Sequence, residues 1–275
     1  MAFLKTDDGI SIYYEHHEPS ERRGATVVFS SAYTTTHESW RGQVAPVLAA
    51  GHPVVLWDLR GHGQTVTPDD DAFFTIDLVV SDLLAVADAT TPDAPFVAAG
   101  LSFGGLASLH FMRAYPERVS ALALIGSGPG FKNPEAAEGW AAQVERTAAF
   151  LENRGFAEFL AGRAGVTCIG AKPELAAAKH AAEAILAQSV SGVARFGRKV
   201  SGLAPTVIND LSSMNVPALV LVGENDKAFS RAADVMSAKL TQSKKVVIAG
   251  AGHIVNIEEE AAFNAALVEF LGQLG

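Results

Sequence analysis

Pro95-Phe96-Val97-Ala98-Ala99-Gly100-Leu101-Ser102-Phe103-Gly104 is the stretch on which the fold turns. It is an uncharged, mostly apolar run ending in Gly-x-Ser-x-Gly, and the residues after it carry apolar side chains at helical spacing. The pattern predicts a buried strand over 95–101 that turns within one residue into a helix over 103–115. So abrupt a turn forces the serine into a sparsely populated backbone conformation. Only residues without a Cβ two places before and after it avoid collision, and Gly100 and Gly104 fill those places. The turn also lifts the Ser102 hydroxyl toward the positive end of the following helix, where developing negative charge is favoured.

Outward from this turn, strand-like runs at 10–14, 25–29, 53–59 and 119–125 alternate with helical spacing at 40–50 and 75–89. Alternation of this kind predicts an α/β protein with a mostly parallel central sheet flanked by helices. It stops after Gly126-Ser127-Gly128-Pro129-Gly130. Residues 128–213 read as Ala-rich helices, among them 133–153, 156–164 and 173–189, broken by Gly and Pro. Strand 217–222, helix 230–240, strand 244–249 and a closing helix 257–271 then complete the pattern. The expected organisation is a core of 1–127 and 214–275 with a helical cap, or lid, inserted over 128–213. Such an insert sits above the carboxyl edge of the sheet, where open α/β folds place their ligand crevices.

The chain has 275 residues, 49% of them hydrophobic and 19% charged, so it affords a full-sized core and is not a disordered segment. A formal charge of -9 repels phosphate backbones and argues against nucleic acid as a partner. The single cysteine, Cys168, forms no internal disulfide and reads as a buried thiol. No Cys/His cluster has zinc-ligand spacing, so no metal is expected. The N-terminus lacks a basic start followed by an apolar run, and no segment approaches the roughly 18 apolar residues of a membrane span, so a cytoplasmic protein with no membrane contact is expected.

A serine alcohol is protonated at neutral pH and needs a base within hydrogen-bond reach, and the base needs an orienting acid. Two downstream segments fit. Leu221-Val222-Gly223-Glu224-Asn225-Asp226 ends one strand in acids, and Gly250-Ala251-Gly252-His253 follows the next. Ser, Asp and His thus come from the ends of three separate strands of one sheet.

With Trp57-Asp58-Leu59-Arg60-Gly61-His62-Gly63, Gly-Leu-Ser-Phe-Gly-Gly, Gly-Glu-Asn-Asp and Gly-Ala-Gly-His, the chain resembles α/β-hydrolase-fold enzymes of the capped, esterase-like kind over nearly its whole length. The resemblance implies Ser102 as nucleophile, Asp226 as acid in preference to Glu224, and His253 as general base. It implies Asp58 and Arg60 as parts of a structural turn, and an oxyanion hole made by the backbone N–H groups of Phe103 and Ala32. The sequence departs from the family where His-Gly usually ends the third strand: Ser30-Ser31-Ala32 stands there instead. The Cβ of Ser31 puts that loop's path in question, and Tyr33, Thr34 or Ser30 offers a hydroxyl as an additional donor.

Of the other histidines, His62 belongs to the Asp58 turn, His37 opens a helix, His110 packs in the helix after Ser102, and His16, His17, His52 and His180 face solvent. Glu258-Glu259-Glu260 reads as the solvated start of the last helix. Phe131 and Trp140 are the aromatics best placed to line a capped apolar pocket. The expected activity is a serine hydrolase acting on a small or medium carboxylic ester, without a cofactor, on a small-molecule acyl substrate; a homo-oligomer is compatible with the sequence. Carbon–carbon cleavage, lactone opening or peracid formation on the same triad is the alternative, and a weakly catalytic ligand-binding receptor of the same fold is a third reading. A serine at the nucleophile position argues against the relatives that use aspartate there, the epoxide hydrolases and haloalkane dehalogenases.

Overall fold

A computed structural model describes residues 1–274. Its centre is an eight-stranded sheet of order β1-β2-β4-β3-β5-β6-β7-β8, formed by β1 (Ala2–Lys5), β2 (Ser11–His17), β3 (Val27–Ser30), β4 (Val54–Trp57), β5 (Phe96–Leu101), β6 (Val119–Ile125), β7 (Ala218–Gly223) and β8 (Ser243–Ile248). The strands from β4 to β8 along the sheet run parallel, and β2 pairs antiparallel with both β1 and β4.

The apolar runs of β3 to β7 are buried on both faces, and successive side chains alternate between two cores. Val28, Val55, Ala98, Leu122 and Val220 face α2 (Ile76–Thr90), α3 (Phe103–Ala114) and α8 (Ser230–Lys239). Val27, Phe29, Leu56, Ala99 and Leu221 face α1 (Arg41–Ala49) and α10 (Glu260–Leu271). The edge strand β8 exposes Lys244 and Lys245, which pair with Glu269 and Asp234, so the open edge carries charge that opposes pairing with another chain.

Between β6 and β7 the described chain is helical, with α4 (Pro134–Ala161), α5 (Val166–Ile169), α6 (Ala176–Leu186) and α7 (Val190–Phe196), the last continuing into a π-helical turn over Gly197–Ser201. Gly155, at φ 74°, breaks α4 between the two helices read from sequence at 133–153 and 156–164. This segment is tied to the sheet body by Phe196, whose ring meets Phe103 edge-on at 4.9 Å and His62 at 4.7 Å. Gln188 bridges the same junction, donating to the Thr34 carbonyl at 2.9 Å and accepting from Gly63 N at 3.1 Å.

The structure adds one strand and alters the readings of the closing helix and of His52. The strand at residues 2–5 is not legible from the sequence, because its partly exposed residues make sense only once β2 lies beside them. The closing helix is two, α9 (Val255–Glu258) and α10, separated at Glu259 by non-helical backbone. His52 does not face solvent: it is buried, its ring bonded to the Ala25 carbonyl at 2.9 Å.

The turn at Ser102 rests on a close approach. A Cβ on Gly104 would lie 2.1 Å from the Ser30 carbonyl oxygen, and one on Gly100 would lie 2.2 Å from the Gly104 carbonyl carbon. Both obstacles are backbone. Gly104→Ala is therefore expected to lower stability by about 1–3 kcal/mol or prevent folding. Gly139→Ala, in the exposed face of α4 with nothing within 4 Å of the added carbon, should raise it by roughly 0.5–1 kcal/mol. Urea titrations of the two variants check this, and a Gly104→Ala protein as stable as the wild type would contradict it.

Candidate active site

Ser102 has φ 54° and ψ −115°, one of two non-glycine residues with positive φ among the described residues. The conformation is held by backbone bonds on both sides. Ser102 N donates to the Ile125 carbonyl at 2.8 Å, and the Ser102 carbonyl accepts from Gly105 N at 3.1 Å and from the Ser127 hydroxyl at 2.7 Å. Local strain of this kind costs on the order of 1–3 kcal/mol and persists only where the surroundings impose it.

Asp226 and His253 meet further along the sheet, in the turns that follow β7 and β8, with β6 between them and β5. Glu224 N donates to the Ile248 carbonyl and Asn225 N to the Ala251 carbonyl, which binds the turn after β7 to the turn after β8. His253 Nδ1 then lies 2.8 Å from Asp226 Oδ2. The imidazole stacks on Phe229, ring centres 4.8 Å apart at 20°. Gly126, at φ 48°, leaves the room both side chains need: a Cβ there would come within 3.3 Å of Asp226 Oδ2 and of His253 Nδ1. Glu224 is exposed and accepts from Gly250 N at 2.9 Å, so the two acids of this turn point different ways.

Glu258 departs from its expected solvated position. It is buried, and its two carboxylate oxygens accept from Gly252 N at 2.9 Å and Ile254 N at 3.2 Å, gripping the backbone on either side of His253. Sequence reasoning missed it, together with Phe229 and Gly126. The available signal was its spacing: Glu258 lies one helical turn beyond Ile254, where a carboxylate can accept from the N–H groups that open a helix.

Ser102, Asp226, His253, Ala32 and Trp140 wall one cavity of about 270 Å³. A second, of about 290 Å³, is lined by Ser102, Phe103, Leu106, Phe131, Trp140 and Phe229 among others. Both aromatics singled out from sequence thus border a space that Ser102 also borders, Trp140 being fixed by its indole N–H to the Ser201 carbonyl at 2.8 Å. Among the described residues, no hydrogen bond joins the Ser102 hydroxyl to His253, and the N–H groups of Ala32 and Phe103 donate to no protein acceptor.

The Ser30-Ser31-Ala32 departure has a local account. Ser31 is not among the residues of positive φ, so its backbone does not require glycine; the strained residue of this loop is Thr34, at φ 74°. Thr34 is held by three contacts: its N–H donates to His62 Nε2 at 3.2 Å, Gln188 donates to its carbonyl, and its hydroxyl meets Cys168 Sγ at 2.9 Å. Full burial lowers the His62 imidazole to about 4, which keeps Nε2 unprotonated and able to accept. Of the three hydroxyls considered as extra donors, Thr34 donates to its neighbour's carbonyl and Ser30 accepts from the Trp57 indole at 3.0 Å, while the Tyr33 hydroxyl is buried against Gly197 without a hydrogen-bond partner among the described residues.

Behind this loop, His37 and Asp58 form a buried ion pair. Asp58 accepts from His37 Nδ1 at 2.9 Å, His37 N at 2.8 Å and Gln64 N at 2.9 Å, which is the turn-bracing role read for it. Arg60 forks Asp82 at 2.6 and 2.7 Å. Among the described residues, Glu15, His37 and Glu38 form the grouping whose ligating atoms approach within 4.8 Å. Arg41 already forks both carboxylates, so this is an ion-pair network and a poor cation site.

The chain belongs to the α/β hydrolase fold family, whose model matches residues 25–260, and it is a hydrolase of that fold. It is 23% identical over 255 residues to 3-oxoadipate enol-lactonase 2 of Acinetobacter baylyi (strain ATCC 33305 / BD413 / ADP1), covering 88% of this chain and 86% of that one. Among solved structures it is similar to a thermophilic esterase from Thermogutta terrifontis, with TM-score 0.83, 24% identity and 99% and 97% of the two chains covered. It is also similar to MenH from S. aureus, with TM-score 0.85, 22% identity and 95% and 98% covered. No helix among the described residues is long and apolar enough to cross a membrane.

The His37 pair yields a pH dependence. Burial alone would lower the imidazole, but the carboxylates of Asp58 and Glu38 outweigh it and raise it to about 9. A raised folded value means the stabilisation is complete below the unfolded value near 6.5 and is lost as pH rises toward 9. His37→Ala should therefore cost about 3 kcal/mol at pH 6, and its deficit relative to wild type should shrink steadily between pH 6.5 and 9. Denaturant titrations across that range check it; a constant deficit would contradict the assignment.

Proposed function

We propose that the chain hydrolyses small or medium carboxylic esters through an acyl-enzyme on Ser102. One observation carries this reading: the 2.8 Å contact of Asp226 with His253 Nδ1 on the wall of a cavity that Ser102 also lines. With Asp226 accepting from Nδ1–H, His253 Nε2 is the basic nitrogen. It takes the Ser102 proton as the oxygen attacks the acyl carbon, through a hydrogen bond that forms when substrate is bound. The oxyanion accepts from Ala32 N–H and Phe103 N–H. His253 then passes its proton to the departing alcohol, and water repeats the sequence in reverse roles to free the acid and restore the serine. Two N–H groups without protein acceptors favour turnover over mere binding in this reading.

Residues 128–213 act as the cap in this proposal, with Phe131 and Trp140 bounding the space for one side of the substrate. A cavity near 290 Å³ suits a small or medium group. Opening of a lactone on the same triad is the second reading, favoured by the named activity of the enol-lactonase relative.

Ser102→Ala should reduce turnover of p-nitrophenyl butyrate by ~10⁴-fold or more while leaving the melting temperature near that of the wild type. Asp226→Asn should cost a comparable factor, whereas Glu224→Gln should cost less than about threefold, since the amide oxygen still accepts from Gly250 N. Hydrolysis that survives Ser102→Ala would remove the proposal, and a larger loss for Glu224→Gln than for Asp226→Asn would reassign the acid.

A further inference from the structure

Ser102 sits between two spaces of different chemistry. On one side Leu106, Pro129, Phe131, Phe229 and Ala232 make an apolar cavity with no charged side chain on its wall. On the other side the wall is also mainly apolar, with Val144, Phe159 and Ala164, but adds the polar side chains of His253, Asp226, Thr34, Gln143, Thr147 and Thr167. Directly outside this polar side lies a third hollow, of about 310 Å³, between α4 and the turn at 163–165. Gln143, Thr147, Phe159 and Ala164 belong to the walls of both, so the outer hollow adjoins the polar half of the site.

The outer hollow adds two cations, Arg146 and Arg163. In a chain of net charge -9, free guanidinium groups are scarce. Of the twelve arginines, eight are in ion pairs with carboxylates. Arg146 donates only to the neutral Gln143 amide at 2.7 Å, and Arg163 makes no side-chain hydrogen bond among the described residues. Two of the four arginines without a carboxylate partner among the described residues thus line one hollow beside the site. The guanidinium fork matches a carboxylate in geometry as well as charge.

We propose that this hollow receives a carboxylate carried by the substrate at its end remote from the scissile bond, while the other end enters the apolar cavity uncharged. The inference rests on the ester-hydrolase reading above and narrows it to esters with one anionic end. The carboxylate belongs either to the acyl part, as in a half-ester of a dicarboxylic acid, or to the alcohol part, as in an ester of a hydroxy acid. In both cases Arg146 and Arg163 bind it alike in ground and transition state, so their effect falls on KM and not on kcat. Both are exposed, so salt weakens the effect.

The test uses two matched series. One compares 4-nitrophenyl monoesters of dicarboxylic acids with neutral acyl esters of equal chain length; the other compares 4-acyloxybenzoates with the corresponding 4-acyloxybenzamides. In one of the series the anionic member should show a KM about five- to tenfold lower than its neutral partner, with kcat within about twofold. That preference should fade in 0.5 M NaCl. The double variant Arg146→Gln/Arg163→Gln, with an undisturbed melting temperature, should lose the preference by raising KM for the anionic member far more than for the neutral one. Neutral esters hydrolysed with no preference for charge in either series, or a preference that survives the double variant, would overturn this inference alone. Absence of any Ser102-dependent ester hydrolysis would overturn the underlying reading and this one with it.

Discussion

The contact between Gly104 and the carbonyl of Ser30 is the constraint on which the site depends. A hydrogen in place of a Cβ lets the first turn of α3 seat against the end of β3, closer than any other residue permits. That single approach fixes two things at once. It forces the abrupt turn that holds Ser102 at φ 54°, and it sets the loop carrying Ala32 beside the N-terminal end of α3, where Phe103 N–H is unclaimed. Backbone strain at one residue thus accompanies the placement of a hydroxyl near two backbone donors, the arrangement on which the proposed catalysis relies.

The central layers of the fold were legible because their signal is local. Runs such as 95–101 and 119–125 are too apolar and too short for anything but buried strands, and the glycines punctuating them mark backbone that a side chain would obstruct. Residues 2–5 carry no such signal, since an edge strand is defined by its partner and by hydrogen bonds the sequence does not display. Likewise, three carboxylates in a row read as a solvated helix start. The break at Glu259 instead turns Glu258 inward onto the backbone flanking His253, an arrangement decided by tertiary packing.

The site residues separate along the same line. Motif and chain order single out Ser102, Asp226 and His253, and the resemblance prefers Asp226 to Glu224; in the structure Asp226 meets an imidazole and Glu224 a backbone amide. The loop after β3 was the uncertain part, because its path depends on residues distant in sequence. Cys168 of α5 and Gln188, in the turn between α6 and α7, hold Thr34, and His62 holds it from the other side. Ser31 has no positive φ, so its backbone accepts a side chain, and the positive φ of this loop falls at Thr34. The charges follow a division of labour: the strongly paired ones brace this loop from behind, and the apolar cavity beside Ser102 has none.

The central claim is that Ser102 is the reactive alcohol of a proton relay through His253. It is tested most directly by treating the folded protein with a fluorophosphonate ester and mapping the adduct by peptide mass spectrometry. The account predicts one phosphonyl adduct per chain, on the peptide containing Ser102, formed in the wild type and suppressed when His253 is replaced by alanine. An adduct on a different serine, or none under conditions that label known serine hydrolases, would contradict it.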